Sequence, residues 1–229
     1  MITDAGPDHL SGDCMESWRK HMSNIITVSR EFGSGGRELG KRLADELGYS
    51  YYDREIVSEL SKQTGMDENY LDHQLESSSR RVRYPIHFAQ SFSQLSAVSD
   101  TAMHILSLQT KLIRELAAKG NCVFVGRASD ALLEDERPFK LFVYADELSK
   151  VARCRKRATE GENMTDREMI RQMKRIDKSR AEFHDIIASQ AWGDKTAYHL
   201  CVNTTDVVIK EIVPAIAQYY RLWQKASAE

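Results

Sequence analysis

Short apolar runs alternate along the chain with stretches in which apolar residues recur every three or four positions, and this alternation predicts the fold. Ile25-Ile26-Thr27-Val28-Ser29 is β-branched and apolar on both faces, as a buried strand requires, and Gly33-Ser34-Gly35-Gly36 follows at once. Over residues 37–47, Leu39, Leu43, Ala44 and Leu47 fall at helical spacing, and Gly48 stops the pattern. Residues 49–52 predict a second strand ending at Asp53, with a helix over 56–63. Residues 101–119 predict a helix with Ile105, Leu108, Leu112, Ile113 and Leu116 on one side, ended by Gly120 before a strand over 122–125. Strands over 140–144 and 198–202, and helices over 147–159, 166–187 and 207–224, complete the pattern.

Five short strands, apolar on both faces and separated by helices, predict an α/β fold: a three-layer, parallel five-stranded sheet flanked by helices. Ligands of such sheets bind beyond the carboxyl ends of the strands. The features after Ser29, Tyr52, Val125 and Val202 are therefore expected at one edge. Residues 67–100 break the alternation: acidic Asp67, Glu68, Asp72 and Glu76, then Arg80, Arg81 and Arg83, then a Ser- and Gln-rich stretch from Tyr84 to Asp100. We expect a helical insert or flap within one domain spanning residues 25–225, preceded by a flexible tail over 1–24. The length, 229 residues, fits one domain with an insert better than two full domains.

Charge narrows the function classes. The net charge is −2 and the sequence pI about 6.4, so no global positive field exists to hold a nucleic acid polymer. No apolar run approaches the roughly 20 residues needed to cross a bilayer, so no membrane partner is expected. The first twenty-four residues have no apolar signal-like centre. Cys14, Cys122, Cys154 and Cys201 form no C-x-x-C pair, which fits incidental thiols in a reducing cytoplasm. The seven His show no metal-ligand spacing, so no metal ligands are assigned.

The chemistry-bearing feature is the glycine turn between strand and helix. Its backbone N–H groups and the helix N-terminus suit a phosphate. The full P-loop pattern is G-x-x-x-x-G-K-[ST]. Here Arg30 stands at the first Gly when Gly35 is the second, Gly36 takes the Lys position, and Arg37-Glu38 follow; sliding the register by one puts Arg37 in the Lys position and Glu38 in place of the hydroxyl. Arg37 is the candidate cation for the phosphates, with Lys41 one turn on. The alternative is a tight turn whose glycines only let the helix pack on the sheet. Positive charge concentrates elsewhere: from Lys150 to Arg180 there are eleven Lys or Arg against five Asp or Glu. This is either a cationic lid over about residues 150–190 or a solvated helical face.

The runs Ile26-Thr27-Val28-Ser29-Arg30-Glu31-Phe32-Gly33-Ser34-Gly35-Gly36-Arg37-Glu38-Leu39-Gly40, Tyr51-Tyr52-Asp53, Val125-Gly126-Arg127 and Trp192-Gly193-Asp194 resemble the cytidylate kinase-like family of bacterial proteins. The resemblance implies a P-loop nucleoside monophosphate kinase-like fold with a helical acceptor-side insert and a lid. It implies transfer of a phosphoryl group from ATP, with Mg²⁺, to CMP or dCMP. Donor contacts would come from Gly33, Ser34, Gly35, Gly36, Arg37, Glu38, Arg153, Arg157 and Thr204, the last in a turn resembling an adenine-side Ser/Thr turn. Acceptor contacts would come from Asp53, Arg80 and Arg127, and catalytic charge from Arg37, Arg127, Arg175 and Arg180. Asp53 has a second reading as a helix cap, Arg80 as part of a solvated loop, and Trp192 as a packed aromatic. A non-catalytic nucleotide or phosphate sensor, and a kinase of another small phosphate acceptor, remain open as rival classes. An oligomer is compatible with everything above.

Overall fold

β1 (Ile25–Arg30) forms the centre of the sheet because its apolar side chains are buried on both faces. Ile25 packs toward one face with Phe124, Ile56, Leu60, Ile105 and Ile113, while Ile26 and Val28 pack toward the other with Leu39, Leu43, Val213 and Tyr220. The computed structural model describes residues 24–71, 100–157 and 164–228. In chain order the further elements are α1 (Gly36–Leu47), β2 (Ser50–Tyr52), α2 (Glu55–Thr64), α3 (Asp100–Ala117), β3 (Cys122–Val125), α4 (Ser129–Leu132), β4 (Phe139–Tyr144), α5 (Glu147–Arg157), α6 (Asp166–Ile187), β5 (Leu200–Asn203) and α7 (Ile209–Ala228).

The strands pair in the order β2-β3-β1-β4-β5, and every pairing is parallel. This is the expected five-stranded α/β sheet, with α1 and α7 on one face and α2 and α3 on the other. Observed boundaries differ from the expected ones by a few residues at most. The exception is α4, a single turn after β3 that is too short to leave a periodic signal. Most of the expected insert at 67–100, and the expected tail at 1–24, lie outside the described residues, as do Arg80, Arg81 and Arg83. No helix among the described residues is long and apolar enough to cross a membrane.

Register brings the carboxyl ends together. Val28 lies level with Val125 on one side and Leu141 on the other, and Arg30 pairs with Val143. The chain therefore leaves β1, β3 and β4 at one height, and Gly126 donates its N–H to Val28 O at 3.0 Å.

Candidate functional site

The turn after β1 is held from inside by Ser34. Its hydroxyl donates to Glu31 O at 2.8 Å, its own N–H reaches Glu31 O at 3.3 Å, and the residue is fully buried. Ser34 thus shapes the turn and offers neither hydroxyl nor amide to a ligand. Gly33 and Gly35 both have positive φ, 78° and 85°. A Cβ on Gly33 would lie 3.1 Å from Cys154 Sγ and from Lys150 Cβ of α5, and one on Gly35 would lie 2.8 Å from Ile209 Cδ1 of α7. Packing therefore demands these glycines, as the plain-turn reading holds, yet it does not use their amides. Among the described residues the N–H groups of Gly33, Gly35, Arg37 and Glu38 have no hydrogen-bond acceptor. Gly36 N–H has only a long contact, 3.4 Å, to Ser34 Oγ. Unpaired amides at the start of a helix are the arrangement that binds an anion.

Gly33, Gly35, Gly36 and Arg37 border a cavity of about 340 Å³ that Arg30, Arg153, Arg157 and Arg180 also line. The cations come from different elements. Arg37 Nε lies 2.5 Å from Asp53 Oδ2, and Arg30 Nη2 lies 3.7 Å from Asp53 Oδ1. Asp53, at the end of β2, is buried. Its N–H is taken by Glu55 Oε2 at 2.9 Å, so its carboxylate is a counter-charge to two guanidinium groups instead of a helix cap. Burial, and then the neighbouring Arg180 guanidinium, pull the pKa of Arg30 down to about 9, with Asp53 opposing. Arg127 and Arg37 push in the same direction as Arg180. Arg30 thus has three guanidinium neighbours, and Asp53, the carboxylate beside it, is shared with Arg37.

Arg127 is presented by a backbone with three successive left-handed residues, Gly126, Arg127 and Ala128, at φ 73°, 61° and 50°. Such a run is strained for the two non-glycine residues. Behind it, Asp130 Oδ2 contacts His184 Nε2 of α6 at 2.9 Å, both side chains being buried. Burial opposes charge on His184, but Asp130 through hydrogen bond and charge, with Asp185, raises its pKa above the ordinary histidine value. This pair fixes α6 against the Arg127 turn.

Helices α5 and α6 meet the loop directly. Asp177 Oδ1 accepts from Phe32 N–H at 2.6 Å and lies 3.2 Å from Arg180 Nη1, which also donates to Arg30 O at 3.0 Å. Arg180 lies over the Phe32 ring, 5.7 Å from its centroid. Lys150 Nζ of α5 pairs with Glu31 Oε2 at 2.9 Å. Arg157 donates to Glu38 Oε2 at 2.9 Å, so the Glu38 carboxylate ties the end of α5 to the start of α1. Arg153 donates to Thr204 O and carries a buried, unpartnered Nη1.

Ser34, Glu38, Asp53, Arg127, Arg175 and Thr204 were expected contacts and do not line the cavity. Arg175 is exposed and outside the cavity, because it sits roughly 200° around α6 from Asp177 and about 140° from Arg180, at 100° per residue. Thr204 is fully buried and donates its hydroxyl to Ser34 O at 2.6 Å, with Tyr144 O 3.1 Å away, so it anchors the loop without reaching the cavity. Trp192 packs edge-on against Phe142, ring centroids 5.2 Å apart. Sequence reading passed over Arg30; its signal was an arginine where the motif has its first glycine.

A family model covers residues 25–206 of the chain and is that of the cytidylate kinase-like family. The chain belongs to this family. Among solved structures it is similar to an uncharacterized protein from Eubacterium ventriosum ATCC 27560, at 24% identity and TM-score 0.62, over 85% of this chain and 96% of that one. It is also similar to shikimate kinase from Bacteroides thetaiotaomicron, at 14% identity and TM-score 0.51, over 86% of this chain and 98% of that one. Both likenesses are likenesses of fold. No curated protein matches the chain.

A nucleoside triphosphate fits the cavity: the free amides suit its phosphates and the arginines its charge. Among the described residues no three His, Cys, Asp or Glu gather as a metal site, and Asp53 is already engaged. A Mg²⁺ ion therefore fits here as one carried on phosphate oxygens.

Proposed function

We propose that the protein transfers the γ-phosphoryl group of ATP to a small anionic acceptor, with CMP or dCMP as the first candidates. The observation that carries this reading is the set of unpaired amides at Gly33, Gly35 and Arg37, residues that line an arginine-rich cavity. Phosphoryl transfer needs alignment and neutralisation of charge spreading over the transferring group, and little else from the protein. The loop amides hold donor phosphates, and Arg157 and Arg180 cover them from the lid. Arg37 and Arg127 hold the acceptor phosphate, with Asp53 orienting Arg37. ATP supplies the phosphoryl group, and Mg²⁺ on its oxygens adds further neutralisation. No side chain needs to be a nucleophile, because an acceptor oxygen attacks. Unpaired thiols at Cys122, Cys154 and Cys201 support a cytoplasmic setting.

The test is ADP release from ATP with CMP, dCMP, UMP, AMP and shikimate as acceptors. Turnover with a cytidine monophosphate supports the full reading, turnover with shikimate alone redirects it to another acceptor, and silence with all of them overturns it. Gly36 and Arg37 in place of the motif's Lys and hydroxyl favour a second reading, a nucleotide sensor without turnover. Calorimetric binding of ATP with no product in any assay would select that one.

A further inference from the structure

The two departures of the glycine loop from G-x-x-x-x-G-K are in contact. Arg30 holds the position of the motif's first glycine and Gly36 that of its lysine. A Cβ on Gly36 would lie 2.5 Å from Arg30 Cβ, 3.0 Å from Arg30 Cγ and 3.2 Å from Val143 Cβ. The Arg30 stem thus fills the space a residue-36 side chain needs. At its far end the guanidinium lies against Gly126, where a Cβ would fall 1.7 Å from Nη1 and 2.6 Å from Cζ. One side chain is threaded between two glycines, and both glycines make its room.

The head group faces the cavity and donates no hydrogen bond to another described residue. Its counter-charge, Asp53 at 3.7 Å, is more closely held by Arg37. A cation buried this far without a close partner is costly unless an anion arrives. From this we infer that Arg30 and Gly36 are one compensated exchange: the cation that the motif carries on the helix has moved to the end of β1. Arg30 takes over the lysine's task of neutralising the donor's outer phosphates and the transferring group. The inference rests on the proposed phosphotransferase reading and adds a catalytic residue to it.

Three variants test it: Arg30→Met, Gly36→Lys, and the double variant Arg30→Gly/Gly36→Lys, which rebuilds G-x-x-x-x-G-K. Removing the Arg30 stem leaves Val143 Cβ at 3.2 Å as the tightest neighbour of a new Cβ at residue 36, a contact that a few tenths of an ångström relieves. Binding of inorganic tripolyphosphate and of ATP is measured by calorimetry, kcat and KM with the active acceptor, and melting temperature throughout. Arg30→Met is expected to weaken tripolyphosphate about tenfold and lower kcat about 100-fold, the scale of losing one transition-state charge contact. It should melt no lower than the wild type, since it relieves a crowded cluster of cations. Gly36→Lys alone is expected to lose as much, through collision with Arg30. The double variant is expected to recover to within about fivefold of the wild type in affinity, the compensation that defines coupled positions. Arg30→Lys should fall between Arg30→Met and the wild type.

Arg30→Met with affinity and kcat within twofold of the wild type overturns the inference while leaving the function reading intact. A double variant that melts like the wild type yet binds no better than either single also overturns it; should the double variant melt below both singles, Arg30→Met decides. Failure of the wild type to bind tripolyphosphate or ATP overturns the function reading and this inference together.

Discussion

Replacing Thr204 by Val removes one hydroxyl from a site with no solvent and keeps the shape. In the wild type that hydroxyl reaches Ser34 O at 2.6 Å and Tyr144 O at 3.1 Å; with one hydrogen to give, the shorter contact is the bond. Tyr144 O keeps the Thr204 N–H at 2.9 Å. Ser34 O is left buried without its donor, which costs about 1–3 kcal/mol. For a chain of this size each kcal/mol moves the melting temperature by about 2–4 °C, so a fall of roughly 4–8 °C is expected from a 2 kcal/mol loss. The loop should loosen at the same time, because Ser34 lies between two glycines that line the cavity, and tripolyphosphate affinity should drop about threefold to tenfold. Thermal denaturation followed by circular dichroism, with calorimetric titration, measures both. Thr204→Ser restores the hydroxyl and should recover affinity, losing only the stability of a buried methyl. Thr205→Val is the control: its hydroxyl accepts from Asp146 N–H at a more exposed place and should cost under about 1 kcal/mol. A Thr204→Val protein that melts within 1 °C of the wild type, by about the precision of the method, and binds tripolyphosphate unchanged would refute the anchoring argument.

Two further outcomes follow from the geometry. His184 should titrate above the ordinary histidine value of about 6.5 in NMR spectra, and in Asp130→Asn it should fall, because Asp185 alone then opposes burial. The sign for stability follows: the pair's contribution is fully present below about pH 6.5 and is lost as pH rises through the folded value, a trend that Asp130→Asn weakens. A wild-type His184 titrating at or below 6.5 would contradict this. Gly35→Ala should lower both melting temperature and ATP affinity, since it meets Ile209 Cδ1 at 2.8 Å and places a side chain at φ 85°. Adding Ile209→Ala removes the collision but not the backbone strain, so only part of the loss should return; full recovery would show that the conformation is unstrained.

The sheet was legible because its signal is local and repeated. Ile25, Ile26 and Val28 are apolar on both faces, and a strand buried on both faces leaves little choice of neighbour. The glycine loop was legible for the same reason: strand, turn and helix are contiguous. Its inner chemistry was not. That Ser34 turns inward and Thr204 braces it from 170 residues away depends on the pairing of β5 with β4 and of β4 with β1, which no window of sequence contains. Lid charge was legible as a count and misleading as a list: Arg175 and Arg180 look alike in sequence, yet only the face of α6 shared with Asp177 meets the loop. Arg30 was hidden because a motif search scores it as a missing glycine; its meaning lies in two glycines, 6 and 96 positions away, that make its room.

This placement of charge also accounts for a site built from guanidinium groups inside a chain of slightly negative net charge. Each cavity cation is held by a partner that is not the ligand: Arg37 by Asp53, Arg157 by Glu38, Arg180 by Asp177, Arg153 by Thr204 O. Those partners fix the cations before any phosphate arrives, which lowers the ordering cost of binding, and they keep the apo site from flying apart. Arg30 is the departure from that scheme, since its only counter-charge among the described residues is shared and distant. A preorganised ring of partnered arginines around one nearly unpartnered arginine concentrates the unmet electrostatic demand at a single point, between the loop amides and Gly126. On the proposed phosphotransferase reading, that point is where the transferring phosphoryl group would pass, because the β1 turn and the β3 turn that carries Arg127 both border Arg30.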